Sequence, residues 1–334
     1  MTLKFSLIIC TKNRAKDLDI TLQSVFNQSI LPESIIIVDD SENDETNTIL
    51  KKYDALSSVQ FEYIHFNPPN SGLPAARNYG IKKIPRTADI VLFLDDDVTL
   101  DSRYLESIRE IFMNYPEISG AGGVITNGYF NKSLHFKLIL AMIGMILPNS
   151  LPVSLFHPSI TRTGAATTPL FLRKGKDSIR AEWLSGCNMA YRSTIFLEGN
   201  TFDENFIHYA LGEDTLFSHQ LYKQGKKFLI SYNALLQHRV SLENRTSQFS
   251  GLLMMFGYHK YVINKFSGNG LASSFYYYYF IIDVFIMTLV LTLMRKNNFG
   301  YLVKTIHAYH VVKPFEKMIE KGDLKKFNDF LKEK

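Results

Sequence analysis

The chain has 334 residues, 46% of them hydrophobic, with 37 Lys/Arg against 32 Asp/Glu, which excludes a disordered protein and allows one large core or two smaller ones. From Arg295 to Lys334 there are ten Lys/Arg and five Asp/Glu, so the rest balances at 27 against 27 and the basic excess sits in the tail. A nucleic-acid-binding face would need basic residues across the folded core; a basic tail fits a segment near anionic lipid.

Phe5 to Cys10 reads as a first strand, too short and too closely followed by Lys12 and Arg14 to be a signal peptide. Leu18, Leu22, Val25 and Phe26 then recur at helical spacing, Pro32 breaks the chain, and Ile35 to Val38 gives a second buried strand ending in Asp39-Asp40. Val59 to Phe66 gives a third. After a polar turn at 68–72 comes a helix pattern carrying Ala75, Ala76, Arg77 and Gly80, followed by the strand Ile90 to Leu94 and the triple acid Asp95-Asp96-Asp97. Leu105, Ile108 and Phe112 mark the next helix, and Ile118 to Thr126 a further strand. This alternation predicts an α/β sheet with crossover helices.

Three strand ends thus carry polar chemistry: Thr11 to Arg14, Asp39-Asp40, and Asp95 to Asp97. Ligands of open parallel sheets bind outside the carboxyl ends of the strands, so these groups are expected to meet around one ligand. Adjacent carboxylates repel unless a cation neutralises them, and hard ions such as Mg2+ or Mn2+ prefer such oxygens and bridge them to phosphates. A solvated turn is the bland alternative. A calcium loop is another, since Asp95, Asp97, Thr99, Asp101 and Glu106 fall at EF-hand spacing; it fails because Leu100 stands where the sharp turn needs Gly, and because a strand leads in.

Leu134 to Leu147 is apolar except for His135 and Lys137, too short to span a bilayer and long enough for a buried or interfacial helix. Glu213-Asp214, with Phe217, Leu221 and Gly225 behind them, mark the start of a helix. Acids in a first turn are ordinary dipole partners; a helix N-terminus also keeps a carboxylate ionised for work as a general base. Leu271 to Met294 is a 24-residue stretch whose only formal charge is Asp283, with Tyr276 to Tyr279 at one end and Arg295-Lys296 at the other. Such flanks anchor membrane helices, while Asp283 and the tyrosines favour the interface over a span. Cys10 and Cys187 lie in no metal-ligand spacing and read as buried thiols suited to a reducing cytoplasm. Glycosylation acceptor patterns at Asn27, Asn131 and Asn244 are short enough to arise by chance.

Taken together, these residues resemble family 2 glycosyltransferases of the GT-A fold, over about residues 5 to 240. The elements are Cys-Thr-Lys-Asn-Arg (10 to 14), Val-Asp-Asp-Ser-Glu-Asn-Asp (38 to 44), Asn-Ser-Gly-Leu-Pro-Ala-Ala-Arg-Asn-Tyr-Gly (70 to 80), Phe-Leu-Asp-Asp-Asp-Val (93 to 98), Trp-Leu-Ser-Gly-Cys-Asn-Met-Ala-Tyr-Arg (183 to 192), Gly-Glu-Asp-Thr-Leu-Phe (212 to 217) and His238. Cys10 stands where the family has a proline or small residue, and Ser41-Glu42 replaces a Gly-Ser turn. The resemblance implies an α/β fold of the GT-A class, a Rossmann-like mixed sheet, in residues 1–245, and a C-terminal helical, membrane-associated region in 246–334. It implies inverting transfer of a sugar from a UDP-, dTDP- or GDP-linked donor to an acceptor hydroxyl; the apolar stretch 271–294 adds the expectation of a saccharide or lipid-linked acceptor at the cytoplasmic face of a membrane, with the protein held peripherally or by a single pass. No nucleic acid partner is expected.

By the same resemblance Thr11, Asn13, Arg14, Asp40, Arg77, Asp95 and Asp96 bind the donor, with Asp96 close to the ribose. Asp97 is the direct metal ligand, with Asp95 and His238 beside it, for Mn2+ or Mg2+. Asp214 is the base, Glu213 positions the acceptor, and Trp183, Ser185 and Gly186 face the sugars. Plainer roles stay open: Asp39 as a turn cap, Arg77 as a structural cation, His238 as a packed side chain, and Trp183 as core. A nucleotidyltransferase on a similar sheet should carry a Gly-rich basic loop, and Thr11-Lys12-Asn13-Arg14 has no glycine. A membrane-bound sugar-nucleotide sensor without turnover is the non-enzymatic rival.

Overall fold

A computed structural model describes residues 2–54, 59–68, 72–128, 153–154, 157–169, 176–241, 247–268, 270–293 and 298–333. The apolar run 134–147, Asn70 and Ser71 of the third motif, the patterns at Asn131 and Asn244, and the expected boundary at 245/246 lie outside them. In chain order the first half holds β1 (Phe5–Thr11), α1 (Ala15–Phe26), β2 (Ser34–Asp39), α2 (Glu45–Asp54), β3 (Gln60–His65), α3 (Leu73–Ile81), β4 (Ile90–Asp95), β5 (Val98–Leu100), α4 (Tyr104–Asn114) and β6 (Gly120–Ile125). There follow β7 (Val153–Ser154), β8 (Ser159–Ile160), β9 (Ala166–Pro169), β10 (Ser178–Ala181), β11 (Asn188–Arg192), α5 (Thr194–Leu197), α6 (Glu213–Lys223) and β12 (Phe228–His238). The C-terminal part is helical: α7 (Gln248–Ser267), α8 (Leu271–Leu293), α9 (Phe299–Val312), α10 (Glu316–Glu320) and α11 (Lys325–Lys332).

The main sheet runs β10-β12-β6-β11-β4-β1-β2-β3, with β5 added on β12. Its β3-β2-β1-β4 half is parallel, whereas β11 lies antiparallel between β4 and β6, making the sheet mixed. Side chains alternate across it. Leu7, Ile9, Ile35 and Ile37 face α1, α2 and α4, while Ile8, Ile36, Val38 and Phe93 face α3, α5 and α6. Burial on both faces is why these strands read as unbroken Ile/Val/Leu runs. A separate small sheet, β7-β9-β8, lies beside the main one in sequence between β6 and β10.

A third core belongs to the C-terminal helices. Leu253, Phe256, Tyr258 and Ile263 of α7 pack with Tyr277 and Ile281 of α8, Ala308 of α9 and Phe327 of α11. That cluster also takes in Phe206, Ile207 and Ala210, which lead into α6, and Leu216 within it. Polar ties reinforce the junction: Tyr261 Oη donates to Asp203 Oδ2 at 2.8 Å, and Asn328 Nδ2 to the Asn205 carbonyl at 2.7 Å. α7 has no clear sequence signature because a helix buried on nearly every side loses its amphipathic stripe.

Candidate active site

Register sets the site. β1 pairs Thr11 with Asp39 and Cys10 with Asp95, so the ends of β1, β2 and β4 finish together. The triple acid turns directly into β5, and β5 pairs antiparallel with the end of β12, which sets His238 opposite Val98 and beside Asp97. β11 pairs Asn188 with Leu94, which brings the 185–187 loop against Asp95, whose N–H donates to the Cys187 carbonyl at 3.4 Å.

Asp95, Asp97 and His238 each offer one ligand atom, and these atoms lie within 4.8 Å of one another. His238 Nε2 is 2.9 Å from Asp97 Oδ1 and 4.0 Å from Asp95 Oδ2, while the buried Asp97 Oδ1 makes no well-aligned hydrogen bond. Asp97 Oδ2 accepts from the Ser241 N–H at 2.8 Å. Burial pushes the Asp97 carboxyl up, but His238, the Ser241 N–H and Arg14 outweigh it and bring it to about 2. Burial also works against charge on His238, and the close Asp97 and Cys187 side chains overcome it, lifting the imidazole to about 11. Two carboxylate oxygens and an imidazole nitrogen meeting this closely form a donor set that suits Mn2+ or Mg2+.

Asp96 points elsewhere. Its carboxylate is buried, accepting from Thr11 Oγ1 at 2.7 Å and lying 3.4 Å from Arg14 Nη1. Burial raises it to about 7 against the pull of Arg14 and Thr11. Arg14, 4.0 Å from Asp97 Oδ2 as well, thus neutralises two of the three acids. Asn13 holds a left-handed turn at φ 52°, its amide bonding Ser41 Oγ at 2.7 Å and its side chain the Glu42 N–H at 3.0 Å. Asp39 caps the turn at Ser41 and takes the Tyr63 hydroxyl at 3.0 Å, whereas Asp40 is half-buried and pairs with Lys12 at 2.8 Å.

Arg77, expected at the donor, lies inside the site. It is buried, ion-paired with Glu213, donates to the Gly186 carbonyl at 3.0 Å, and lies 3.4 Å from Asp95 Oδ1. Its guanidinium therefore ties three parts of the site together from behind. Burial lifts the Glu213 carboxyl to about 7 even against Arg77. Asp214 sits in the first turn of α6, its Oδ1 accepting from the Thr215 N–H at 2.7 Å and its Oδ2 from the Gly186 N–H at 2.9 Å. A Cβ on Gly186 would come 3.0 Å from Arg77 Nη2 and 3.4 Å from both Asp214 Oδ2 and Glu213 Oε1, so only glycine fits without a shift.

Two cavities flank the acids. One of about 570 Å³ is lined by Thr11, Asn13, Arg14, Asp40, Asp95 and Asp96, and its far wall is Met254, Leu331 and Lys332 of the C-terminal helices with His208 and Tyr209. Sequence motifs did not mark that wall, because those residues lie up to 319 positions from Asn13 and share no pattern with it. The other, about 310 Å³, is mainly apolar and bounded by Trp183, Ser185, Asn188 and His238. Trp183 is half-buried and donates from Nε1 to the Thr167 carbonyl at 2.9 Å, which fixes its ring along that wall. Val240, at φ 58°, lines the same cavity between His238 and Ser241; so β-branched a residue in that region is an outlier of the kind found at functional sites.

The model for Glycosyl transferase family 2 matches residues 6–166, the span that contains the parallel strands and the acid triplet. Over that span the chain matches a family 2 glycosyltransferase domain. It is 26% identical over 259 residues to the chondroitin synthase of Escherichia coli, a match covering 74% of this chain and 36% of that protein. The chain therefore spans well under two thirds of that relative's length. Among solved structures, GalNAc-T7 with UDP, GalNAc and Mn2+ aligns over 79% of this chain and 48% of its own, with a TM-score of 0.57 at 16% identity. Staphylococcus aureus TarS 1–349 with UDP-GlcNAc aligns over 92% and 79%, with a TM-score of 0.54 at 16% identity. These likenesses establish the GT-A fold for the mixed sheet.

Proposed function

We propose that the protein is an inverting glycosyltransferase that moves a sugar from a nucleotide-sugar donor to an acceptor hydroxyl during cell-surface polysaccharide or glycolipid synthesis. One observation carries the reading. Asp95 and Asp214 belong to one connected cluster, since Arg77 lies 3.4 Å from Asp95 and 3.0 Å from the Gly186 carbonyl, and the Gly186 N–H is 2.9 Å from Asp214. The reading makes Asp95 an acid on the diphosphate side and Asp214 the proton acceptor, joined through the 185–187 loop.

In this reading Thr11, Asn13, Arg14, Asp40 and Asp96 line the nucleotide side. Asp95, Asp97 and His238 would hold Mn2+ or Mg2+, which supplies positive charge to the diphosphate as the sugar leaves. Asp214 takes the proton of the attacking hydroxyl at its carboxylate, which the Gly186 and Thr215 N–H groups keep oriented. Glu213 and Arg77 fix that loop from behind, and Trp183, Ser185 and Gly186 face the sugars. The nucleotides bound in the two structural neighbours make UDP-sugars the first donors to test, followed by dTDP- and GDP-sugars. Residues 1–245 would carry the chemistry, and residues 246–334 would hold the enzyme at the cytoplasmic face of a membrane, next to a saccharide or lipid-linked acceptor.

Asp214→Asn removes the base with little change in shape. Diphosphate release with Mn2+ and an acceptor should fall by a factor on the order of 10²–10⁴, with nucleotide-sugar affinity retained in calorimetry. Undiminished turnover would remove Asp214 from the chemistry, and donor binding without turnover in the unsubstituted chain would favour a sugar-nucleotide sensor.

A further inference from the structure

The helix α8 has two faces of opposite character. Phe275, Tyr278, Ile282, Ile286, Leu289 and Leu293 follow one another at steps of three or four and are all exposed among the described residues, up to 74% at Leu293. On other sides of the same helix Ser273, Tyr277, Phe280, Asp283 and Thr288 are buried, and Asp283 is only 1% exposed. The neighbouring helix α9, which packs on α8, adds exposed Phe299, Val303 and Ile306 at the same kind of spacing.

By length alone α8 could cross a bilayer, since 23 residues rise about 35 Å against a hydrocarbon core of about 30 Å. Its partners argue otherwise. Tyr277 Oη donates to the Phe256 carbonyl of α7 at 3.3 Å, Ser274 Oγ to Glu320 of α10 at 3.1 Å, and Tyr278 Oη to Glu316 at 3.4 Å. Buried Lys260 of α7 lies 3.7 Å from Glu320 and over the Tyr277 ring. A transverse α8 would either carry these charged groups of α7 and α10 into hydrocarbon or lose its contacts with them, and both are unfavourable. A helix packed on one side and apolar on the other suits the plane of an interface, sunk about 5–10 Å into the headgroup boundary.

Charge selects the occupant. The segment 295–334 carries the chain's whole basic excess, ten Lys/Arg against five Asp/Glu, and Lys304, Lys313 and Lys317 on or beside α9 and α10 are exposed. A second copy of this chain would bring the same sign of charge to the contact, whereas an anionic lipid surface complements it. We infer that the exposed stripe of α8, with Phe299, Val303 and Ile306 of α9, is a lipid-docking face that lies in the plane of an anionic membrane without crossing it. The inference deepens the membrane part of the proposed function and is independent of glycosyl transfer.

The test is flotation of the full chain with vesicles of phosphatidylcholine, with and without phosphatidylglycerol. Binding should need the anionic lipid, weaken with salt, and be released by alkaline carbonate. The pair Ile282→Asp and Leu289→Asp, and separately Val303→Asp on α9, should each lower binding at least about tenfold while donor-dependent diphosphate release and the thermal midpoint stay unchanged. Leu271→Cys and Leu293→Cys, each read against the unsubstituted chain, should react with an impermeant thiol reagent from the same side. Carbonate resistance with labelling from opposite sides would make α8 a spanning helix. Equal binding to neutral vesicles would remove the charge argument, and absence of vesicle binding with a dimer in light scattering would assign the face to a second copy. Any of these overturns the inference, and loss of turnover in unsubstituted, vesicle-bound protein would strike the glycosyltransferase reading alone.

Discussion

The strand ends and the C-terminal helices hold charge in opposite ways. Around Asp95 to Asp97 the acids are compensated by one another's neighbours: Arg14 serves Asp96 and Asp97, and Arg77 serves Asp95 and Glu213. In the helical part the core is aromatic, with Phe256, Tyr258, Tyr277 and Phe327 packed together, and one helix face is left apolar. The first region is a preorganised polar site whose geometry depends on charge, and the second is a support whose geometry depends on packing. They meet in the wall of the larger cavity, where Leu331 and Lys332 stand across from Asn13 and Asp40.

Removing charge from the first region should have the largest consequence. Asp97→Ala is expected to abolish Mn2+-dependent nucleotide-sugar binding in calorimetry and with it diphosphate release; equal affinity in the variant would show that the acids hold no metal. Arg77→Met should follow, since breaking a buried pair by removing one partner leaves Glu213 uncompensated and costs about 3–5 kcal/mol, read from denaturant unfolding. If Arg77→Met unfolds no more easily than the parent, the buried guanidinium is not what links the loops. Gly186→Ala is a smaller insult, about 1–3 kcal/mol of overpacking, but should reduce turnover more than stability because it presses on Arg77, which ties Glu213 and the 185–187 loop together.

The second region can be probed by pH. His219 of α6 stacks on Phe266 of α7 at 3.6 Å, and His259 of α7 on Phe280 of α8 at 3.8 Å. Burial lowers both imidazoles to about 4, below their ordinary 6.5. Between those values the unfolded chain takes up protons that the folded one refuses, so the stabilisation is full above pH 6.5 and lost as the pH falls toward 4. Hydrogen exchange should show residues 248–333 opening first as the medium is acidified through that window; earlier opening of β1 to β4 would reverse the assignment. The smallest effect is expected at the junction, where Lys332→Ala should weaken UDP affinity by no more than about fivefold, with Lys332→Arg restoring it.

Much of this was legible along the chain. The Ile/Val/Leu runs ending in Thr11, Asp39-Asp40 and Asp95 set the parallel strands and the place of the acids, because a buried strand must be apolar on both faces and its polar chemistry must emerge at the end. The start of α6 at Glu213 and the apolar length of α8 were equally local, carried by first-turn acids and a continuous hydrophobic run. Long-range pairing was not. Only tertiary structure sets His238 opposite Val98 through β5 and β12, turns Arg77 inward onto Glu213, gives α7 its all-round burial, and brings Lys332 to the larger cavity. Periodicity records which face of an element is buried, and it carries no information on which distant element will cover that face.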